Sequence, residues 1–236
     1  MDERIEKLEG IIKCMLQPLK NIPLDIVIDA LSWHKIIPFN KNDYKDQQIL
    51  KDLIGVAKLA WETANLEWIV STRANEVWNY IEQYVKKACN KLWMKASTPH
   101  SESWREKSTW YPDIEFIDRF WNIQYLEIKT FNIKNINTTQ RTFYLSPSED
   151  FKITNDAHHF LLSFEVEQVD KKWSDNIYRC NWWKILALEN LDVDVKYEFN
   201  SNNKKLYSER MIIAEWSFKE DENLSFESKY IHSVYA

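Results

Sequence analysis

Two short stretches stand out by alternation of apolar and polar positions. Asp113–Ile117 follows Pro112, and Gln124–Thr130 places Leu126 and Ile128 on one face and Glu127 and Lys129 on the other. Residues 118–122, Asp-Arg-Phe-Trp-Asn, lie where the chain must reverse, so the pattern predicts an antiparallel hairpin with Asp113 near Glu127. A strand rises about 3.3 Å per residue, so Glu127 and Lys129 leave the same face roughly 6.6 Å apart.

Upstream, the period changes to that of helices. Ile5, Leu8, Ile12 and Met15 or Leu16 recur three and four apart, predicting a helix over 3–16 that Pro18 and Pro23 end. A short helix is expected around Asp25–Trp33, then a polar break at Asn40–Asp46. A long helix over 47–66 carries Ile49, Leu50, Leu53, Ile54 and Ala57 as its apolar stripe. Ser71–Thr72 is a fitting N-cap for a third helix over about 73–92, with Val77, Ile81, Val85, Ala88 and Leu92 inward. Lys95–Thr109 is polar and reads as a loop. Downstream, His158–Val169 alternates as a central strand, a short helix is expected near Trp183–Asn190, and Val193–Phe199 is a strand. A last strand over about Met211–Phe218 would close a sheet edge or a dimer contact.

Length and charge bound the class. At 236 residues the chain can bury a real core as one domain, with or without a helical appendage. The start, Met1–Asp2–Glu3–Arg4, is charged with no apolar run after it, and no stretch approaches the roughly 20 apolar residues of a membrane span. Cys14, Cys89 and Cys180 are odd in number and far apart, which suggests neither a disulfide framework nor a zinc site. A cytoplasmic protein with no membrane association is expected. The net charge of −5 argues weakly against nucleic-acid binding, since an enzyme that collects acids at a metal site can keep its cleft positive.

The chemistry lies in the hairpin. Two carboxylates converging beside one lysine supply oxygen ligands for a hard cation and a positive charge next to an attacking water. The competing reading is a solvated Glu-Lys pair on a strand face. Pro112–Asp113 opening a strand, a reversal, and then Tyr125-Leu-Glu-Ile-Lys-Thr130 resemble the PD-(D/E)XK nucleases, and among them the type II restriction endonucleases. More loosely the resemblance extends over Arg73–Glu82 and Lys196–Tyr207. It implies an α/β (α+β) fold, a central mixed β-sheet flanked by helices, with a restriction-endonuclease-like core. A single nuclease domain would span 1–236, helical over 1–95 and carrying the catalytic sheet over 96–236.

The resemblance also implies roles. Asp113 and Glu127 would hold Mg²⁺ with the Ile128 carbonyl, Glu76 on the third helix is a candidate further ligand, and Lys129 would orient or polarise the attacking water. Asn137, Thr138, Thr139, Gln140 and Arg141 leave the second strand as a polar segment able to bond base edges or phosphates. Asn203, Lys204 and Lys205 form a basic turn suited to the DNA backbone. Double-stranded DNA, a homodimer on palindromic sites and a cognate methyltransferase are the implied partners. Two alternatives stay open: a structure-selective repair or resolvase nuclease, which would cut branched DNA, and a non-catalytic DNA-binding protein, indifferent to Glu127→Ala. His158–His159 invites a metal reading, but adjacent strand residues face opposite ways, which favours a structural or phosphate-contacting role.

One compositional fact stands apart. The chain has 2 glycines, Gly10 and Gly55, where average usage of about 7% would give roughly 16, and it has 12 tryptophans. Trp121 stands in the hairpin reversal, Trp173 in Asp170-Lys-Lys-Trp-Ser-Asp175, Trp182 after Asn181, and Trp93 just past a helix end. These contexts suit glycine, so positions 93, 104, 110, 121, 173 and 182 are candidates for glycine encoded by UGA and written as tryptophan. The opposing reading is a genuinely tryptophan-rich protein.

Overall fold

The computed structural model describes residues 3–15, 19–72, 76–103, 111–132, 143–145, 150–173 and 175–195. Residues 19–194 form one compact unit, and the two chain ends, 1–18 and 195–236, form another. Of the second unit, helix α1 (Glu3–Met15) is described: it is amphipathic, and none of its residues is buried.

The larger unit is built on a six-stranded mixed sheet. Its strands are β2 (Ile69–Ser71), β3 (Ala96–Ser97), β4 (Ile114–Ile117), β5 (Ile123–Phe131), β6 (His159–Lys172) and β7 (Asp175–Ala187), in the spatial order β2-β7-β6-β5-β4-β3. β5 and β6 pair in parallel, and every other neighbour pair is antiparallel. Short strands β1 (Leu19–Pro23) and β8 (Asp192–Val195) make a separate two-stranded sheet.

Helices cover both faces. On one face α3 (Tyr44–Glu67) and α4 (Val77–Lys91) bury Leu53, Val56, Ala57, Ile81, Val85 and Ala88 against Ile114, Phe116, Leu126, Ile128, Phe160, Leu162 and Phe164. Asp43 starts α3 by accepting hydrogen bonds from the amides of Lys45 and Asp46, the local cap that propensity favours. On the other face a second core gathers Tyr111, Tyr125, Phe151, Ile153 and Ala157 with Leu24 and Ile28 of α2 (Leu24–Ser32).

Three expectations change. The segment read as a short helix near Trp183–Asn190 is the end of strand β7, where Phe160 pairs with Ala187 and Phe164 with Trp183. Its Lys-Ile-Leu-Ala-Leu-Glu composition has good helix propensity, but pairing along β6 outweighs a preference of a few tenths of a kcal/mol per residue. Ser71, expected to cap the third helix, ends strand β2 instead, and α4 begins at Val77 with no side-chain cap. The stretch read as a loop over 95–109 holds β3, which extends the sheet beyond β4. The expected strand over 211–218 and the end of that over 193–199 lie outside the described residues.

Candidate active site on the β4–β5 hairpin

The hairpin is held by its own turn. Asp118 accepts hydrogen bonds from the amides of Phe120 (2.7 Å) and Asn122 (3.0 Å) and from the Gln124 side chain (2.8 Å). Its backbone closes the loop, since Asp118 N–H donates to Asn122 O and Trp121 N–H donates to Asp118 O. This is a three-residue connection whose last residue, Trp121, is left-handed at φ 68°. Arg119 forks onto Asp52 and so ties the turn to α3.

The resulting register pairs Ile114 with Leu126, which puts Asp113 across from Glu127. Asp113 Oδ2 accepts a hydrogen bond of 2.8 Å from the Ile128 amide. Glu127 is 3% exposed; Lys129 donates a short hydrogen bond to its Oε1, while its Oε2 is buried with no hydrogen-bond partner among the described residues. Burial, then the charge of Asp113, push the Glu127 carboxyl up to about 7, with Lys129 pulling the other way. Asp113 is also raised, chiefly by burial, against the opposing pull of Lys129 and the Ile128 amide. Asp113, Glu127 and Lys129 therefore meet at one point on the sheet.

Two residues not singled out as site residues join them. Lys152 is buried and donates a 2.6 Å hydrogen bond to the carbonyl of Pro112, directly before Asp113. Burial lowers its ammonium, and the charges of Asp113 and Glu127 hold it up. Nothing in the local pattern around 152 marks a functional lysine. The acid of α4 whose charge reaches Asp113 is Glu82, itself paired with Lys86 at 2.7 Å. Glu76 sits at the start of α4 beside Ser71.

The donor set suits a hard divalent ion: two carboxylates facing each other, with one Glu127 oxygen buried without a hydrogen-bond partner among the described residues. Among the described residues no group of three or more His, Cys, Asp or Glu side chains is placed to hold a metal.

The two histidines divide as alternation requires. His158 bonds the Ile37 carbonyl at 2.8 Å and faces Asp46 at 3.2 Å. His159 bonds the Tyr111 hydroxyl and stacks on its ring, and burial lowers it to about 3, so it is neutral in the core. A cleft of about 670 Å³ lies along β6 and β7 beside Trp61, Glu165, Arg179 and Trp182, and none of the three hairpin residues lines it. Asn137, Thr138, Thr139, Gln140 and Arg141, and Asn203, Lys204 and Lys205, lie outside the described residues.

Comparison with known proteins places the chain. Residues 18–210 match the family described as type II restriction enzyme MjaV. The chain is similar to the type II restriction enzyme MjaV of Methanocaldococcus jannaschii, with 38% identity over a match that covers 93% of this chain and all of that protein. No solved structure matches.

Proposed function

The chain belongs to the type II restriction enzyme MjaV family and is a site-specific DNA endonuclease of a restriction-modification system; from that premise we propose that it cleaves DNA at the Asp113–Glu127 pair with Mg²⁺. The observation that carries this reading is the register that sets Asp113 opposite Glu127, with Lys129 on one Glu127 oxygen and the other buried without a partner. Asp113, Glu127 and the Ile128 carbonyl would hold the ion, which supplies Lewis-acid activation of water and charge neutralisation at the phosphate.

Each of the chain's own groups has a task. The Ile128 amide fixes one Asp113 oxygen, so that carboxylate is oriented before any ligand arrives. Lys129, tied to Glu127 in the free protein, carries the positive charge beside the attacking water and the scissile phosphate. Lys152 steadies the Pro112–Asp113 backbone and offsets the two acids. Asn137–Arg141 and Asn203–Lys205 are the segments proposed to contact DNA. A homodimer matched to a two-fold site, a methyltransferase partner protecting that site and a cytoplasmic setting complete the proposal; among the described residues no helix is long and apolar enough to cross a membrane.

Plasmid incubated with purified protein and Mg²⁺ should give discrete fragments with mappable ends, and Glu127→Gln should give none. Equal cutting in a chelator would remove the metal from the reading, and undiminished cutting by Glu127→Gln would move the site elsewhere.

A further inference from the structure

The backbone of the described residues turns left-handed at six non-glycine positions, and five of them are tryptophan: Trp33 (φ 60°), Trp68 (58°), Trp93 (66°), Trp121 (68°) and Trp173 (59°). The sixth is Asn21, a residue type that tolerates this region. Bulky side chains with positive φ are rare, because Cβ meets the backbone there. The two glycines, Gly10 and Gly55, both lie inside helices, and neither has positive φ. Glycine is thus absent from every described place where the fold asks for it, and tryptophan occupies nearly all of them.

Each position has a motif that calls for glycine. Trp93 follows α4, where its N–H donates to Asn90 O and the next amide, Met94, donates to Cys89 O; these two bonds define a Schellman ending with glycine at the left-handed position. Trp33 closes α2 through a single bond to Asp29 O, the simpler left-handed ending. Trp68 follows α3 at φ 58° and ψ 134°, next to the positive-φ extended region that is essentially glycine's. Trp121 is the left-handed residue of the catalytic hairpin, and Trp173 opens the two-residue connection between Lys172 and Asp175.

The side chains lie mostly in solvent, with Lys95 Nζ 5.8 Å from the centre of the Trp121 ring. Trp33, Trp93, Trp121 and Trp173 are 79–93% exposed and Trp68 is half exposed. Trp61 contrasts with all five: it lies within α3, is partly buried against the main core, and its indole N–H donates to Cys180 O at 2.8 Å. Two kinds of tryptophan therefore share one letter. Trp182, also a glycine candidate on sequence grounds, sits on strand β7 without positive φ, so the backbone makes no such demand there. Positions 104 and 110 lie outside the described residues.

We propose that residues 33, 68, 93, 121 and 173 are glycine in the working protein, encoded by UGA in a genome that reads UGA as glycine, and that Trp61 is tryptophan encoded by UGG. The inference is independent of the metal site, since Asp113, Glu127 and Lys129 are untouched. It bears on that site through position 121, whose turn sets the Asp113–Glu127 register.

Two measurements test it. The gene should carry UGA at the five positions and UGG at 61; UGG at the five overturns the proposal. Protein made as written should be compared with a variant carrying Trp→Gly at 33, 68, 93, 121 and 173 together. Relief of five left-handed side chains should raise the melting temperature by roughly 10 °C or more. Trp61→Gly, added as a control, should lower it. A five-glycine protein no more stable than the written one overturns the proposal, and so does one that loses DNA affinity without gaining stability, because the exposed indoles would then be a stacking surface for nucleic acid.

Discussion

On the face of β5 that meets α3 and α4, Leu126 and Ile128 are wholly buried among Ile81, Val85, Phe160 and Leu162. On the opposite face Glu127 is almost as deeply buried, yet its neighbours are Asp113, Lys129 and Lys152. The apolar face gains about 1.5–3 kcal/mol for each side chain it removes from water. The charged face pays desolvation for its carboxylates and recovers only part of it, as the raised Asp113 and Glu127 and the unpartnered Glu127 oxygen record. One strand thus stabilises the fold on one side and holds a destabilised, charged cluster on the other. The second condition depends on the first, because only a strand pinned by its apolar face can keep two carboxylates together.

The sharpest test separates activity from stability. Glu127→Gln, Asp113→Asn and Lys129→Ala should each lower cleavage by at least roughly 10³-fold, while melting temperatures stay level or rise. Mn²⁺, less demanding of geometry, should partly rescue the two carboxylate variants. Lys129→Ala should still bind its DNA site, as seen by mobility shift. A variant that loses activity only by unfolding would erase the contrast between the faces.

Leu126→Ala should do the reverse. It opens a cavity in the main core and should cost about 2–5 kcal/mol by denaturant titration, with near-normal cleavage by the fraction that stays folded. Loss of activity without loss of stability would mean that the apolar face takes part in the chemistry.

The pH dependence sharpens the comparison further. Folding raises Glu127 from 4.5 to about 7, so the protonated form is favoured in the fold. That contribution is fully present below about pH 4.5 and is lost as pH rises through 7. Without divalent ions, wild-type protein should therefore fall in stability relative to Glu127→Gln between pH 5 and pH 8, by at most about 3 kcal/mol. A difference that stays flat over this range would show that Glu127 ionises without penalty.

Lys152→Met should have the smallest effect. It leaves the Pro112 carbonyl without its buried donor and removes one cation from beside the acids, at a cost of about 1–3 kcal/mol in metal-free protein. Unchanged melting would assign the steadying of Asp113 to the Ile128 amide alone.

Much of the hairpin is legible in the chain because its interactions are local. Alternation over 124–130 and the start at Pro112 are signals within single elements, and Asp118 closes its turn with residues no more than six positions away. The α3 and α4 stripes are equally local, and alternation alone separates His158 from His159. The left-handed turns announced themselves through residue type at 93, 121 and 173, whereas Trp33 and Trp68 became evident only from backbone angles.

Local rules are therefore enough for the β4–β5 hairpin, the helices that pack on it and the anomaly of the turns, since propensity, periodicity and turn chemistry act over a few residues. Tertiary structure alone decided that 183–187 is a strand, that β5 lies parallel to β6, that Glu82 is the α4 acid felt by Asp113, and that Lys152 reaches the Pro112 carbonyl. Those contacts join residues about 30 or more positions apart, or override a local preference by pairing. A chain encodes them only through the summed burial of the whole core, which no short window contains.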